Sequence, residues 1–180
     1  AQDAVDLYEK VSGSKLKTAS TPFCPDGSLS AADDSSQGQL AGQACRCLMK
    51  GLWIGRLARP DLMKPIGDLS TRIQCWSVND DKRCRRLFEF LNGSKHYQMF
   101  GHVHDTADKL KMLLFVDADF AGDSDSTKSA SGAFLVLAGP NSWFPIAWLS
   151  RRQGYTSRST TESEIVSLAE ALFKEALPFV

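Results

Sequence analysis

An apolar run that ends in alternating acids constrains this chain more than any other feature. Met112, Leu113, Leu114, Phe115 and Val116 lead directly into Asp117 and Asp119. Two more short apolar runs follow, at 133–138 and 146–150, with Gly139, Pro140 and Asn141 as turn residues between them. Short apolar runs bounded by turn signals read as strands, so 112–120, 133–138 and 146–150 predict a three-stranded antiparallel meander. Ser159 then opens a segment whose apolar residues, Ile165, Leu168, Ala169 and Leu172, recur at helical spacing. This predicts a helix capped by Ser159, with Glu162 in a capping box and those four residues on its buried face. Strands joined by hairpins and followed by a helix across the sheet define an α+β chain.

The acids carry the chemistry. Residues two apart in a strand share a face, so Asp117 and Asp119 point the same way. A carboxylate delivered from an apolar core costs several kcal/mol unless it is paired. A bound divalent cation would relieve that cost, and hard oxygen ligands suit Mg²⁺ or Mn²⁺. A calcium loop starting at Asp117 fails, because its last ligand position holds Lys128 rather than Glu, and a start at Asp123 ends on Phe134. Asp123 and Asp125 read as turn acids. Glu162 is accounted for as a cap and Glu164 is the better ligand candidate, although the two could exchange roles. His102 and His104 flank Val103 and read as a solvent-facing pair.

Composition is that of a folded chain: 180 residues, 43% hydrophobic and 23% charged, with a net charge of zero that excludes bulk basicity as a route to nucleic acid. Basic residues cluster locally, at Lys82, Arg83, Arg85, Arg86 and Lys95 and again at Arg151, Arg152 and Arg158. The first group reads as a solvated helix surface. Five cysteines (Cys24, Cys45, Cys47, Cys75, Cys84) with no Cys-x-x-Cys read as free thiols of a reducing, intracellular compartment. Zinc on Cys75, Cys84 and His96 has poor spacing. No apolar run reaches the length of a membrane span. The chain begins on Ala1 and stops on Val180, which reads as a piece of something longer.

Three regions emerge: an N-terminal extension and linker at 1–38, a helical segment at 39–104 and the meander with its helix at 105–180. Within the middle region, apolar spacing predicts helices at 39–57, from Pro60 onward with a kink or late start at Pro65 and Gly67, and from an Asn79 cap to Gly93. Trp143 and Trp148 read as core residues rather than stacking platforms.

Taken together, the segments FVDADFAGDSDSTKSASGAFLVLAG, IAWLSRRQ and STTESEIVSLAEA resemble the ribonuclease H domain of copia-type (Ty1/copia) retrotransposon polyproteins. There the pattern is roughly S-D-A-D-W-A-G-D, S-T-S-G, I-S-W-x-S-K-K-Q and S-S-T-E-A-E-Y. Upstream, STPF, LMKGLWIGRLARPDL and RRLFEFLNGSKHYQM resemble that family's connection between reverse transcriptase and ribonuclease H. The resemblance implies a helical connection segment followed by a truncated ribonuclease H-like fold. It implies hydrolysis of the RNA strand of an RNA–DNA hybrid with two Mg²⁺ ions, held by Asp117 and Glu164. Arg151, Arg152 and Gln153, at the family's Lys-Lys-Gln place, would meet backbone phosphates. The family's further Asp, in a Cys-Asp-Asn-like context, has no counterpart here, and its central parallel strand and later helices are missing. Lys64-Pro65-Ile66-Gly67 also replaces a smoothly helical stretch. The expectation is a polypeptide inactive by itself, with an unprotected strand edge at Val116. The alternative is a retroelement-derived, non-catalytic structural or interaction module. Protein partners would then cover the open edge and the apolar C-terminus, Leu177, Pro178, Phe179 and Val180.

Overall fold

A computed structural model describes residues 1–122 and 127–179; Asp123, Asp125 and Val180 lie outside the described residues. Among the described residues, six α-helices and one three-stranded antiparallel sheet make the chain α+β. They divide into two compact units, Ala1–Gln98 and Met99–Val180.

The first unit is helical. Helix α1 (Gln2–Ser12) buries Ala4, Val5 and Tyr8, and Tyr8 stacks on Phe88 with ring centroids 4.6 Å apart. The segment 13–43 holds only the short α2 (Ala31–Asp34). Helix α3 (Ala44–Leu57) is followed by a 3-10 turn (Pro60–Leu62), α4 (Met63–Ser70) and α5 (Val78–Gly93). Helix α4 begins at Met63 rather than at Pro60, the late start expected, and Pro65 sits in its first turn, where backbone N–H groups have no intrahelical acceptor. Cys47, Leu48, Leu62, Ile66, Leu69, Cys84, Leu87, Phe88 and Leu91 join α1 in one core, so the N-terminal helix is part of this unit's packing.

Two expectations for α5 need correction. Its cap is Ser77, not Asn79. Ser77 is extended and accepts from the Asp80 N–H, while the Asp80 carboxylate accepts the Ser77 N–H at 3.0 Å. Asn79 lies inside the helix and donates to the Ser30 carbonyl at 2.7 Å. The basic residues of α5 are not a bare solvated surface either. Arg85 donates to the Lys15 carbonyl, Arg86 to the Thr21 carbonyl at 2.9 Å, and Lys82 pairs with Asp33 at 2.6 Å. They fasten the glycine- and serine-rich N-terminal segment, whose few apolar anchors on the core include Leu16 and Ala19.

Strands β1 (Lys111–Asp119), β2 (Ala130–Gly139) and β3 (Ser142–Arg152) form the second unit's sheet in the order β1-β2-β3, so β1 is an edge strand as expected. The β2–β3 turn is Pro140-Asn141. Asp105 braces it, accepting from the Asn141 N–H at 2.7 Å and the Ser142 hydroxyl at 2.6 Å. Those donors, the Ser142 hydroxyl first, hold the Asp105 carboxyl below its ordinary range. His102 bridges to Trp143 on the outer edge of β3, and His102 and His104 are both exposed, with rings 5.5 Å apart.

Helix α6 (Thr160–Ala171) begins at Ser159, whose hydroxyl accepts from the Glu162 N–H at 3.1 Å, as expected. Its buried face is not the expected one. Ser163, Ser167 and Ala171 are buried, while Ile165 is 63% and Leu168 52% exposed; Ala169 and Leu172 also face solvent. Small side chains let the helix sit close enough for polar groups to bond the sheet, which rotates its larger apolar residues outward. Trp148 is half-buried, with its ring 6.0 Å from that of Phe134, whereas Trp143 is exposed rather than core.

Candidate functional site

Asp117 lies near the C-terminal end of β1 and Glu164 in the second turn of α6, and both are exposed. Exposure removes the burial penalty that motivated a cation at Asp117, because water solvates the carboxylate. The helix and strand are nevertheless tied: the Ser167 hydroxyl, one turn beyond Glu164, donates to the Asp117 carbonyl at 2.7 Å.

The register decides where the two carboxylates point. Ser131 pairs with Ala118 and Arg151, whereas Asp117 pairs with Gly132. Ser131 bonds Gln153, which bonds α6, and Arg151 lies 3.5 Å from Glu170 of α6. The α6 side of the sheet is therefore the side of Ala118, Ser131 and Arg151. Alternation sends Asp117 and Asp119, with Leu113 and Phe115, to the opposite face. Among the described residues, no three His, Cys, Asp or Glu side chains form a group able to hold a metal ion. Oxygen donors suit Mg²⁺, but these two carboxylates alone do not fit a two-ion centre.

Gln153 requires the largest revision. It is 1% exposed, and its side-chain amide is fully engaged. Nε2 donates to the Ser131 hydroxyl and to the Ser163 carbonyl, both at 3.0 Å, and Oε1 accepts the Ser157 hydroxyl at 3.0 Å. It joins β2, the β3–α6 connection and the first turn of α6, in the residue just before Glu164. The family resemblance implies a phosphate contact for it, at the Lys-Lys-Gln place it shares with Arg151 and Arg152. The signal available was the serine content of its surroundings, since Ser131, Ser157 and Ser163 are all buried with it. Arg151 and Arg152 remain at the surface, where cations can reach an anionic ligand.

No helix among the described residues is long and apolar enough to cross a membrane. All five cysteines are free; Cys84 is buried, and burial pushes its thiol pKa well above the ordinary value.

No family model matches the chain. No solved structure matches it. The Retrovirus-related Pol polyprotein from transposon RE1 of Arabidopsis thaliana is 27% identical over 165 residues, covering 92% of this chain and 11% of that polyprotein. The corresponding polyprotein from transposon RE2 is 32% identical over 111 residues, 62% of this chain and 7% of its own length. Secreted RxLR effector protein 161 of Plasmopara viticola is 30% identical over 115 residues, 64% of this chain and 76% of that protein. An α+β chain with this motif order and these relatives is of retroelement Pol polyprotein descent. It is similar to copia-type retrotransposon Pol polyproteins and spans only a small fraction of the length of the two named above.

Proposed function

We propose that the chain is a fragment of the reverse transcriptase–ribonuclease H polyprotein, of the lineage that hydrolyses RNA–DNA hybrids with Mg²⁺, and that it does not cleave by itself. The observation that carries this reading is the order of parts: an edge strand ending on Asp117, a hairpin, and a helix with Glu164, fastened to that strand by Ser167. The relatives' polyprotein names support the descent. Inactivity follows from the donor set. Asp117 points off the α6 side of the sheet, so it does not join Glu164 in one ligand set, and no Cys-Asp-Asn-like segment of the sequence supplies a further carboxylate. Arg151 and Arg152 serve as sequence-independent phosphate contacts to the hybrid's backbone.

The test has two arms on the full chain. A labelled RNA–DNA hybrid incubated with Mg²⁺ stays intact; cleavage that disappears on Asp117→Asn would refute inactivity. Binding of the same hybrid weakens in Arg151→Ala/Arg152→Ala, with a salt slope shallower by roughly 1 to 2. Equal binding by that variant removes the phosphate role.

A second reading is supported by the exposed Ile165, Leu168, Leu172 and Phe173, together with the open edge of β1. Surfaces of this kind fit a non-catalytic module covered by protein partners.

A further inference from the structure

The outward face of α3 belongs to neither reading. Trp53 is 67% exposed there, an unusual placement for the largest side chain of a helix whose other face packs into the core. Helical spacing puts Met49 and Lys50 one turn before it and Arg56 and Leu57 one turn after, with Arg46 a turn further back. All of these are exposed. The helix contains no Asp or Glu. Neither Arg46, Lys50 nor Arg56 forms an ion pair with a described residue, whereas Arg59, Arg72, Arg83 and Arg85 of the same unit are all committed to carboxylates. A chain of zero net charge therefore concentrates three uncommitted cations around one accessible indole.

We propose that this face binds single-stranded nucleic acid, with a base stacked on Trp53 and backbone phosphates met by Arg46, Lys50 and Arg56. Charge selects the occupant. Cations both before and after the ring, without a carboxylate among them, complement a repeating anion rather than a surface of mixed sign. Lys50 and Arg56 stand about 9 Å apart along the helix axis, a span that lets them contact separate phosphates on either side of a stacked base. A duplex keeps its base faces covered by stacking, so only an unpaired strand offers a ring to the indole. The site lies in the first unit and uses neither Asp117 nor Glu164. Its fate is therefore separate from the hybrid-cleavage and Arg151/Arg152 experiments.

Fluorescence anisotropy tests it, using the full chain and fluorescein-labelled oligo(dT) of roughly twelve nucleotides. Three phosphate contacts give a log–log salt slope of about −2. Trp53→Ala weakens binding about 5- to 150-fold, the range expected for one base–aromatic stack, and Trp53→Phe restores most of it. Arg46→Gln/Lys50→Gln/Arg56→Gln flattens the salt slope. These side chains are exposed, so far-UV circular dichroism stays that of the wild type. Absence of saturable binding at low salt overturns the proposal, as does wild-type affinity in the variants. So does concentration-dependent self-association that Trp53→Ala abolishes while oligo(dT) binding is absent, a result that would assign the face to a protein contact.

Discussion

Replacing Gln153 by Ala removes three hydrogen bonds, each 3.0 Å long, from a region closed to solvent. Each is worth about 1 kcal/mol net when both partners are lost together. Here the partners stay behind. The hydroxyls of Ser131 and Ser157 and the carbonyl of Ser163 remain buried without this donor or acceptor, and an unsatisfied buried group costs about 1–3 kcal/mol. Adding the lost packing of a fully buried side chain, the substitution is expected to destabilise the second unit by about 3–5 kcal/mol. With a urea m-value near 1 kcal/mol/M for a unit of this size, its unfolding midpoint falls by about 3 M or more. Urea titration of the full chain, followed by circular dichroism and by tryptophan fluorescence, reads this as a shift of the second unit's transition against that of the wild type. Gln153→Met, which keeps most of the volume but no hydrogen bond, should recover the packing part only. A shift below about 0.5 kcal/mol in Gln153→Ala, the range of an ordinary surface substitution, would refute the buried clamp and return Gln153 to the solvent side with Arg151 and Arg152.

Two further outcomes are expected. Asp80 is buried, and although burial alone would raise its pKa, the Ser77 N–H, Arg72 and Arg83 outweigh this and lower it. A depressed folded-state pKa contributes stability above the unfolded value of about 3.9 that is lost as pH falls through the folded value. The first unit should therefore weaken on acidification below about pH 4. Asp80→Asn should lower its stability by about 2–4 kcal/mol at neutral pH and flatten that acid dependence, both measurable by thermal melts across a pH series. On α6, Leu168→Ser should change stability by less than about 0.5 kcal/mol, because Leu168 faces solvent. Ser167→Leu should cost about 2–4 kcal/mol, through overpacking and loss of the bond to the Asp117 carbonyl. The reverse ranking in denaturant melts would restore the apolar face as the buried one.

Much of the second unit was legible locally. Alternation and turn residues marked three strands, and each proved longer than its apolar run because flanking polar residues still pair in the ladder. Ser159 capped α6 as its position demands, since an N-cap is decided by one side chain and the next few backbone N–H groups. The edge position of β1 and the exposure of His102 and His104 also followed expectation. In α5 the apolar ladder was readable but the cap was not. Ser77 and Asn79 are both good caps, and only reciprocity with Asp80 chooses between them.

The sequence by itself determined the order of helices and strands, the α6 cap, the α+β class, and the polyprotein kinship that the relatives share. These depend on short-range backbone chemistry and on motif order. Tertiary structure alone decided which face each element presents. Helix α6 turns serines, not leucines, toward the sheet because polar groups at close range gain hydrogen bonds there. Gln153 became a buried clamp rather than a phosphate contact, and the arginines of α5 became fasteners for a loop up to seventy-one positions away in sequence. Asp117, read as a charge leaving a core, stands in water because the strand's register points it off the helix side. Partners from distant segments set the dielectric and the donors that each side chain meets, and no local pattern encodes them.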